Sequence, residues 1–438
     1  MKTIGIDIGT TTISAVVMDT EKKQLLAIRT VPNNSFLRTK QEWERIQDGE
    51  LLVKKARILL DELLEQYPFV EAIGLTGQMH GILYTDEEGQ AVSHLYTWQD
   101  KSGDQAEFNG ESVTAWLKRT YGIPASTGYG LVTHLYHVKK GLVPPGSTSM
   151  CTIADYLGMC LTGRKTPLLH ASNGASLGFY DTKIWRFQTE IIKDAGMNPA
   201  LLPKVTAEVE ELGLYEGRPV FVSLGDNQAS FLGTVGVEEQ VWQVNVGTGG
   251  QLSVLSGEHF EAPGIEARPY LQKKYILTGA ILCAGRAYAI LEHFFEACAK
   301  AMGLKAEEQY ELMERLVKSA GADAGGIRVD TRFQGTRTNP ELLGSISGIS
   351  EENLRPENLV RGFIQGIAGE YYEIYKKISR GLGIKAEKLL ASGNGVRKNA
   401  ALREALESLF QAELTLTDLQ EEAACGAALS ARYSLRFK

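Results

Sequence analysis

One short pattern occurs twice in this 438-residue chain, and that repeat limits its fold more than any other feature. Residues 244–255, VNVGTGGQLSVL, align without gaps on residues 6–17, IDIGTTTISAVV; each reads as strand, Gly-Thr, small polar turn, strand. Two copies of one supersecondary unit imply two similarly folded domains, each opening on the same β-hairpin. The length agrees, since a single hydrophobic core rarely serves this many residues. The boundary is expected near 237–240, dividing the chain into 1–238 and 239–438. The copies differ at one position that matters chemically, because Asp7 of the first is Asn245 in the second.

Around the hairpins, strand and helix patterns mix, which points to an α/β class. Glu44 to Gln66 has helical apolar spacing, and Ala72 to Leu75 reads as a short buried strand. In the second half, Leu271 to Leu282 reads as strands, while Ala284 to Met302 and Pro356 to Leu382 read as helices. A strand at Leu389 then runs into a glycine turn, Gly393-Asn394-Gly395, followed by a helix from about Asn399 to Phe410. An alanine-rich segment from Glu421 to Tyr433 closes the chain as a tightly packed helix. The most apolar stretch, Ala280 to Met302, carries Arg286, Glu292, His293, Glu296 and Lys300, so it reads as a buried amphipathic helix and not a membrane span.

Composition removes several functional classes. Lys and Arg number 46 against 53 Asp and Glu, a net charge of −7 with no long basic block, which argues against a nucleic-acid partner. The five cysteines are odd in number and none is spaced C-x-x-C, so neither a disulfide framework nor a zinc site is indicated. The first residues, MKTIGIDIG, read as a strand at once, which leaves no room for a basic and then apolar leader pattern, so no secretory leader is expected. A cytoplasmic protein with reduced, buried cysteines and no membrane partner is expected.

A turn of Gly and Thr presents consecutive backbone N–H groups and hydroxyls with little bulk, which suits a polyphosphate in a protein lacking a P-loop lysine. Thr10, Thr11 and Thr12 in the first copy and Gly247, Thr248 and Gly249 in the second are the candidate contacts. One such hairpin alone could be ordinary; its duplication favours the phosphate reading. Asp7 is placed to hold Mg²⁺ through water, since that ion takes few carboxylates. The turn at Gly393, Asn394, Gly395 and Asn399 would let a flat base approach the backbone, although Lys398 stands where a G-x-G-x-x-G motif would end, and a plain strand-to-helix turn serves equally well.

Asp226 ends the apolar run Val220-Phe221-Val222 and has amides at Asn227 and Gln228. Such an acid can take a proton from a hydroxyl while the amides hold neighbouring hydroxyls, or it can cap the helix that follows. Gln78 and His80 end one strand, and Trp98, Gln99 and Asp100 follow another. Amide, imidazole, indole and carboxylate together resemble a sugar site, where an aromatic face covers the apolar side of the ligand. A single histidine is as readily structural.

With these residues placed, the chain resembles the FGGY carbohydrate kinases, within the superfamily of sugar kinases, Hsp70 and actin. The resemblance rests on Ile6-Asp7-Ile8-Gly9-Thr10-Thr11, Gly77-Gln78-Met79-His80-Gly81, Gly225-Asp226, Asn245-Val246-Gly247-Thr248-Gly249 and the turn at Gly393, and it covers nearly the whole chain. It implies two ribonuclease-H-like α/β domains with the active site in the cleft between them, the first binding sugar and the second nucleotide. It implies ATP and Mg²⁺ as cofactors, Asp226 as catalytic base and a second metal contact beside Asp7, and Met79 and His80 as sugar contacts. Gln78, Trp98, Asp100, Asn227 and Gln228 complete the substrate side, and Gly285 joins the nucleotide side. Thr97-Trp98-Gln99-Asp100, Thr152-Ile153-Ala154-Asp155-Tyr156, Ser172-Asn173-Gly174-Ala175-Ser176 and Gly225 to Ser230 are nearest to members that act on a seven-carbon ketose. Phosphorylation of sedoheptulose at a terminal hydroxyl is therefore expected, with D-xylulose or another pentulose as the alternative, and a homodimer is left open. Gly335-Thr336-Arg337-Thr338-Asn339-Pro340 only approximates the family's Gly-Glu-Arg-x-Pro, and that departure is the sole support for a nucleotide or sugar sensor of weak activity.

Overall fold

The computed structural model describes residues 1–304 and 309–436, apart from the side chains of 434–436. They fall into two compact units: one comprises Met1–Gly236, Arg268–Lys274 and the residues from Leu419 on, the other Val237–Ala267 and Tyr275–Asp418.

In the first unit β1 (Lys2–Ile8) and β2 (Thr12–Asp19) form the expected hairpin, in antiparallel register from Lys2↔Asp19 to Ile8↔Ile13. β3 (Gln24–Pro32) extends the sheet beyond β2. Alternation along β1 puts Ile4, Ile6 and Ile8 on one face, where they pack with Leu52, Ala56, Leu60 and Leu63 of α1 (Gly49–Gln66). That helix begins later than the apolar spacing suggested. Ile46–Gln47 pairs with Leu95–Tyr96, and the Asp48 carboxylate caps α1 by accepting from the Leu51 N–H at 3.0 Å.

β4 (Ala72–Gly77) lies parallel to β1 with Asp7 beside Thr76. Between β4 and the next strands of this sheet come α2 (Ile153–Thr162) and the single-turn α3 (Ala171–Ser176). β5 (Glu211–Tyr215) and β6 (Arg218–Phe221) complete the order β5-β6-β4-β1-β2-β3. A two-residue strand, β7 (Leu224–Gly225), pairs with the end of β4 and leads into α4 (Asp226–Thr234).

The second unit repeats this plan. β8 (Val241–Val246) and β9 (Gly250–Ser256) form its hairpin, followed in the sheet by β10 (Ile265–Pro269) and β11 (Tyr275–Ile281). Leu271–Lys273, expected as strand, is a 3₁₀ turn. After α5 (Gly285–Ala301) and α6 (Pro356–Leu382), β12 (Lys388–Ser392) pairs parallel to β8 as β4 does to β1. A short α7 (Asn394–Arg397), α8 (Ala400–Phe410) and β13 (Glu413–Leu416) follow, giving the order β10-β11-β9-β8-β12-β13. The two hairpins are not superposable residue for residue. Ile8↔Ile13 closes the first turn but Val246↔Gly250 closes the second, which is one residue tighter, so side chains after the turn change face relative to the ungapped alignment.

The stretch Ala280 to Met302 is not a buried amphipathic helix. Its start belongs to β11, and α5 buries only Ala287 and Leu291, leaving Ile290 39 %, Phe294 52 % and Met302 67 % exposed. Part of the apolar surface of α5, at Ala289 and Ile290, lines a cavity instead of a core.

The last helix, α9 (Glu422–Arg436), belongs to the first unit although its residues lie in the second half of the chain. It covers the sheet face opposite α1 at backbone contact: a Cβ on Gly5 would meet Ala424 O at 1.8 Å, and one on Gly74 would meet Ala427 O at 1.8 Å. Only a glycine strand surface and an alanine-rich helix allow layers this close, which explains the helix's composition.

Candidate active site

In the first unit, Asp226 stands at the first position of α4, directly after the two-residue strand β7. Its carboxylate does not cap the helix. Oδ1 accepts from the Asn227 backbone N–H at 2.6 Å and from Asn227 Nδ2 at 3.1 Å, leaving Oδ2 as the oxygen able to take a proton. Burial pushes this carboxyl up to about 6, against the Asn227 hydrogen bond and the Arg268 cation, which both pull it down. Asp7 reaches about 7, through burial first and then the negative charges of Asp226 and Glu421. Its Oδ1 is buried without a hydrogen-bond partner. Among the described residues no group of three His, Cys, Asp or Glu is arranged to ligate a metal directly.

The sequence-expected substrate residues gather around this acid pair unequally. Asn227 Nδ2 lies 3.7 Å from Met79 Sδ, and the Met79 thioether packs on Gly225, where a Cβ would come within 2.6 Å of it. Gln78 is buried, donates to Gln47 Oε1 at 2.8 Å and has an unpartnered Oε1. The Trp98 indole N–H donates to Thr10 Oγ1 at 2.9 Å while the ring stays exposed, which ties the expected aromatic wall to the first Gly-Thr turn. Thr11 and Thr12 are exposed beside it.

His80 adopts a left-handed φ of 72°, uncommon for a side chain of this size. Its Nδ1 faces Ser176 O at 2.7 Å, so Nδ1 carries the proton and Nε2 is the acceptor of the neutral ring; the ring stacks on Tyr129 at 4.7 Å. Gln228 is buried with Nε2 on Pro269 O at 3.2 Å. Asp100 joins its own loop to a distant segment: Oδ1 accepts from Ser102 N–H at 2.9 Å and Oδ2 from Arg45 N–H at 3.1 Å.

The second unit contains a cavity of about 970 Å³ lined by Gly247, Thr248, Gly285, Asn394, Gly395 and Asn399, together with Arg286 and Lys398. The close approach depends on glycine. A Cβ on Gly285 would meet Gly247 O at 2.4 Å, and Gly393, at φ 93°, would clash with Val246 O at 2.4 Å. Gly285 and Arg286 donate their N–H groups to Gly247 O and Thr248 O, both at 3.0 Å. Gly249 and Gly393 shape the backbone beside the cavity without lining it. Asn399 caps α8 through Oδ1, which accepts from Leu402 N–H at 2.9 Å, and also borders the cavity. Asn245, the counterpart of Asp7, donates its amide to Ser392 Oγ at 2.9 Å and bears no charge.

Sequence reading missed Glu421, Arg268, Gln47 and Ser176. Glu421 reaches Asp7 because α9 packs back on β1, and Arg268 because 268–274 is part of the first unit; neither carries a local signal. Ser176 lay in a segment already singled out, but its contact with His80 needed the fold. The five cysteines are free, three of them buried, and His134 and His137 share the buried Tyr84 hydroxyl at 2.8 and 2.9 Å.

Two α/β units of one topology, with a carboxyl pair at the turn of the first and a glycine-lined cavity in the second, define a phosphotransferase of the sugar kinase class. Residues 2–233 match the N-terminal domain and residues 243–435 the C-terminal domain of the FGGY family of carbohydrate kinases, and the chain belongs to that family. It is 24 % identical to sedoheptulokinase of Mus musculus, over 98 % of this chain and 96 % of the relative. It is 22 % identical to a xylulose kinase of Haemophilus influenzae, over 98 % and 90 %. A solved xylulose kinase from Rhodospirillum rubrum has the same fold, with a TM-score of 0.81 at 20 % identity over 99 % of this chain and 89 % of that one.

Proposed function

We propose that the protein transfers the γ-phosphoryl group of ATP to a terminal hydroxyl of a ketose, with sedoheptulose as the preferred acceptor. The observation that carries this reading is Asp226, a carboxyl held near 6 with Oδ2 available. At neutral pH it is ionised yet basic enough to draw a proton from an attacking hydroxyl. The substrate oxygen forms its bond to the γ-phosphorus as the bond to the β-phosphate oxygen breaks; the hydroxyl proton goes to Asp226 and ADP leaves. Gln78, Met79, His80, Asn227 and Gln228 orient the sugar, and the exposed Trp98 ring covers its apolar face. His80 Nε2 accepts a sugar hydroxyl, because Ser176 fixes the opposite tautomer. Gly247, Thr248 and Gly285 cradle phosphates, and the turn from Asn394 to Asn399 receives the nucleoside.

A divalent cation suits the acid side, where Asp7 has a buried oxygen without a partner and two further carboxylates raise its affinity for protons. Asp7, through water, and Asp226 would hold Mg²⁺, which when bound neutralises phosphate charge. The preference for a seven-carbon sugar is supported by the likeness to sedoheptulokinase over almost the full length of both chains.

The test is ADP release with Mg-ATP across sedoheptulose, D-xylulose, L-xylulose, D-ribulose, L-ribulose, D-fructose and glycerol, ranked by kcat/KM. Asp226→Asn should lower kcat by roughly 10²–10⁴-fold without loss of fold. Retention of most activity would remove Asp226 from its role, and a pentulose ranked first would replace the substrate.

A further inference from the structure

We infer that Asp155 is a positioning residue: through Ser223 and the short helix α3 it sets the places of both Asp226 and His80. The inference rests on the roles proposed above for those two side chains.

The turn that presents Asp226 has little support of its own, because β7 is only two residues long. Side chains hold it instead. Ser172 Oγ accepts the Gly225 N–H at 2.9 Å, and Thr76 Oγ1 donates to Leu224 O at 2.9 Å. One residue earlier, Asn173 Nδ2 donates to Ser223 O at 3.3 Å and Ser223 Oγ at 2.7 Å. The Ser223 hydroxyl in turn donates to Asp155 Oδ1 at 2.5 Å, and Asn173 Nδ2 lies 3.4 Å from the same oxygen. The other end of α3 reaches the sugar side. Ser176 Oγ donates to Asn173 O at 2.8 Å and accepts the His80 N–H at 3.1 Å, while Ser176 O faces His80 Nδ1. A single turn of helix thus joins the two site residues, and its middle is bonded to Asp155.

Asp155 also has a simpler part, at the third position of α2, where the Thr152 hydroxyl caps the helix and donates to Asp155 Oδ2 at 2.7 Å. A cap needs only that oxygen. Oδ1 is turned toward Ser223 and Asn173, in a place where the side chain is 2 % exposed and hydrogen bonds from Ser223, Thr152 and Asn173 are what oppose the effect of burial. Burying a carboxylate is costly, and the compensation is the strength of hydrogen bonds to a charged acceptor. Burial holds the carboxyl at about 6, still largely ionised at neutral pH. A neutral amide of the same shape would keep the packing and weaken the anchor.

Asp155→Asn is compared with Asp48→Ala, which removes the cap of α1 and touches none of this network. With Asp155→Asn, kcat should fall about 10- to 100-fold and the ketose KM should rise, as expected for groups displaced by a fraction of an ångström. ADP affinity, read by titration of the protein alone, should stay within about twofold, since the cavity lies in the other unit. Asp48→Ala should lower the melting temperature and leave kcat within about twofold. Should Asp155→Asn not fold, Ser223→Ala, which keeps the Thr152 bond, is expected to show the same split. A folded Asp155→Asn or Ser223→Ala protein with wild-type kcat and KM overturns the inference, as does an equal loss of ADP affinity. If the wild-type protein phosphorylates none of the ketoses, the functional reading falls, and amide exchange decides this one. The Gly225 amide should exchange faster in Asp155→Asn while the Gly74 amide of β4, paired with Gly5 of β1, stays protected; an unchanged Gly225 amide overturns it.

Discussion

Replacing Asp7 by asparagine should make the metal-free protein more stable while destroying its activity, and the gain should depend on pH in a definite direction. The folded state raises this carboxyl from 3.8 to about 7, so the native protein binds the proton more tightly than the unfolded chain does. Between about pH 4 and pH 7 stability therefore falls as pH rises, and above pH 7 the full penalty is present. Three units at ~1.36 kcal/mol each set an upper bound of about 4 kcal/mol. Asp7 is partly open to solvent, which screens the charge, and about 2 kcal/mol is the working figure. At pH 8, with divalent ions chelated, Asp7→Asn should raise the melting temperature of the transition that unfolds the first unit by about 4–8 °C. At pH 5 the unfolded chain already loses its proton but the folded one does not, so roughly a third of the gain should remain. Adding Mg²⁺ should stabilise the wild type and narrow the difference. Thermal unfolding followed by calorimetry at both pH values decides. A variant no more stable than the wild type at pH 8, or one with the same gain at pH 5, would refute the reasoning that the fold holds this carboxyl well above its ordinary value.

Three other outcomes follow from the same structure. With sedoheptulose saturating, kcat should fall by about tenfold between pH 7 and pH 5 as the Asp226 carboxyl, near 6, takes up its proton. Arg268→Met removes the cation that lowers Asp226, so this acid limb should move to higher pH; a pH–rate profile with an unmoved limb would separate Arg268 from the base. Gly426→Ala should cost about 3 kcal/mol or more, although alanine is the better helix former, because its Cβ would lie 1.7 Å from Ala229 O; denaturant unfolding showing a neutral or stabilising effect would contradict the backbone contact of α9 with α4.

Much of the fold is legible in the sequence because its signals are local. Each Gly-Thr turn joins two apolar strands that pair with each other, so Ile6 to Val17 and Val244 to Leu255 show their hairpins within a dozen residues. Pro356–Leu382 runs between the bounds its apolar spacing indicates, since a proline starts it and Gly383, at φ 72°, ends it. Asp226 is legible for the same kind of reason, as an acid placed where a buried strand gives way to a helix. Asp100 is the contrasting case. Its residue type suits a sugar hydroxyl, and only the fold shows that each oxygen also accepts a backbone N–H, one from the neighbouring Ser102 and one from Arg45, 55 residues away.

The chain's order of residues alone determines two hairpins, their duplication, an acid in one copy and an amide in the other, and the glycine turns that only glycine permits. All of these follow from backbone sterics and hydrogen bonding between near neighbours. Only the tertiary structure decides that the last helix returns to the first unit, that burial raises Asp7 and Asp226 while Glu421 adds to the first shift and Arg268 opposes the second, and that Ser223 donates to Asp155. Those relations join residues far apart in the chain. They are set by which surfaces pack at backbone distance, a property of the assembled layers that no short window of sequence contains.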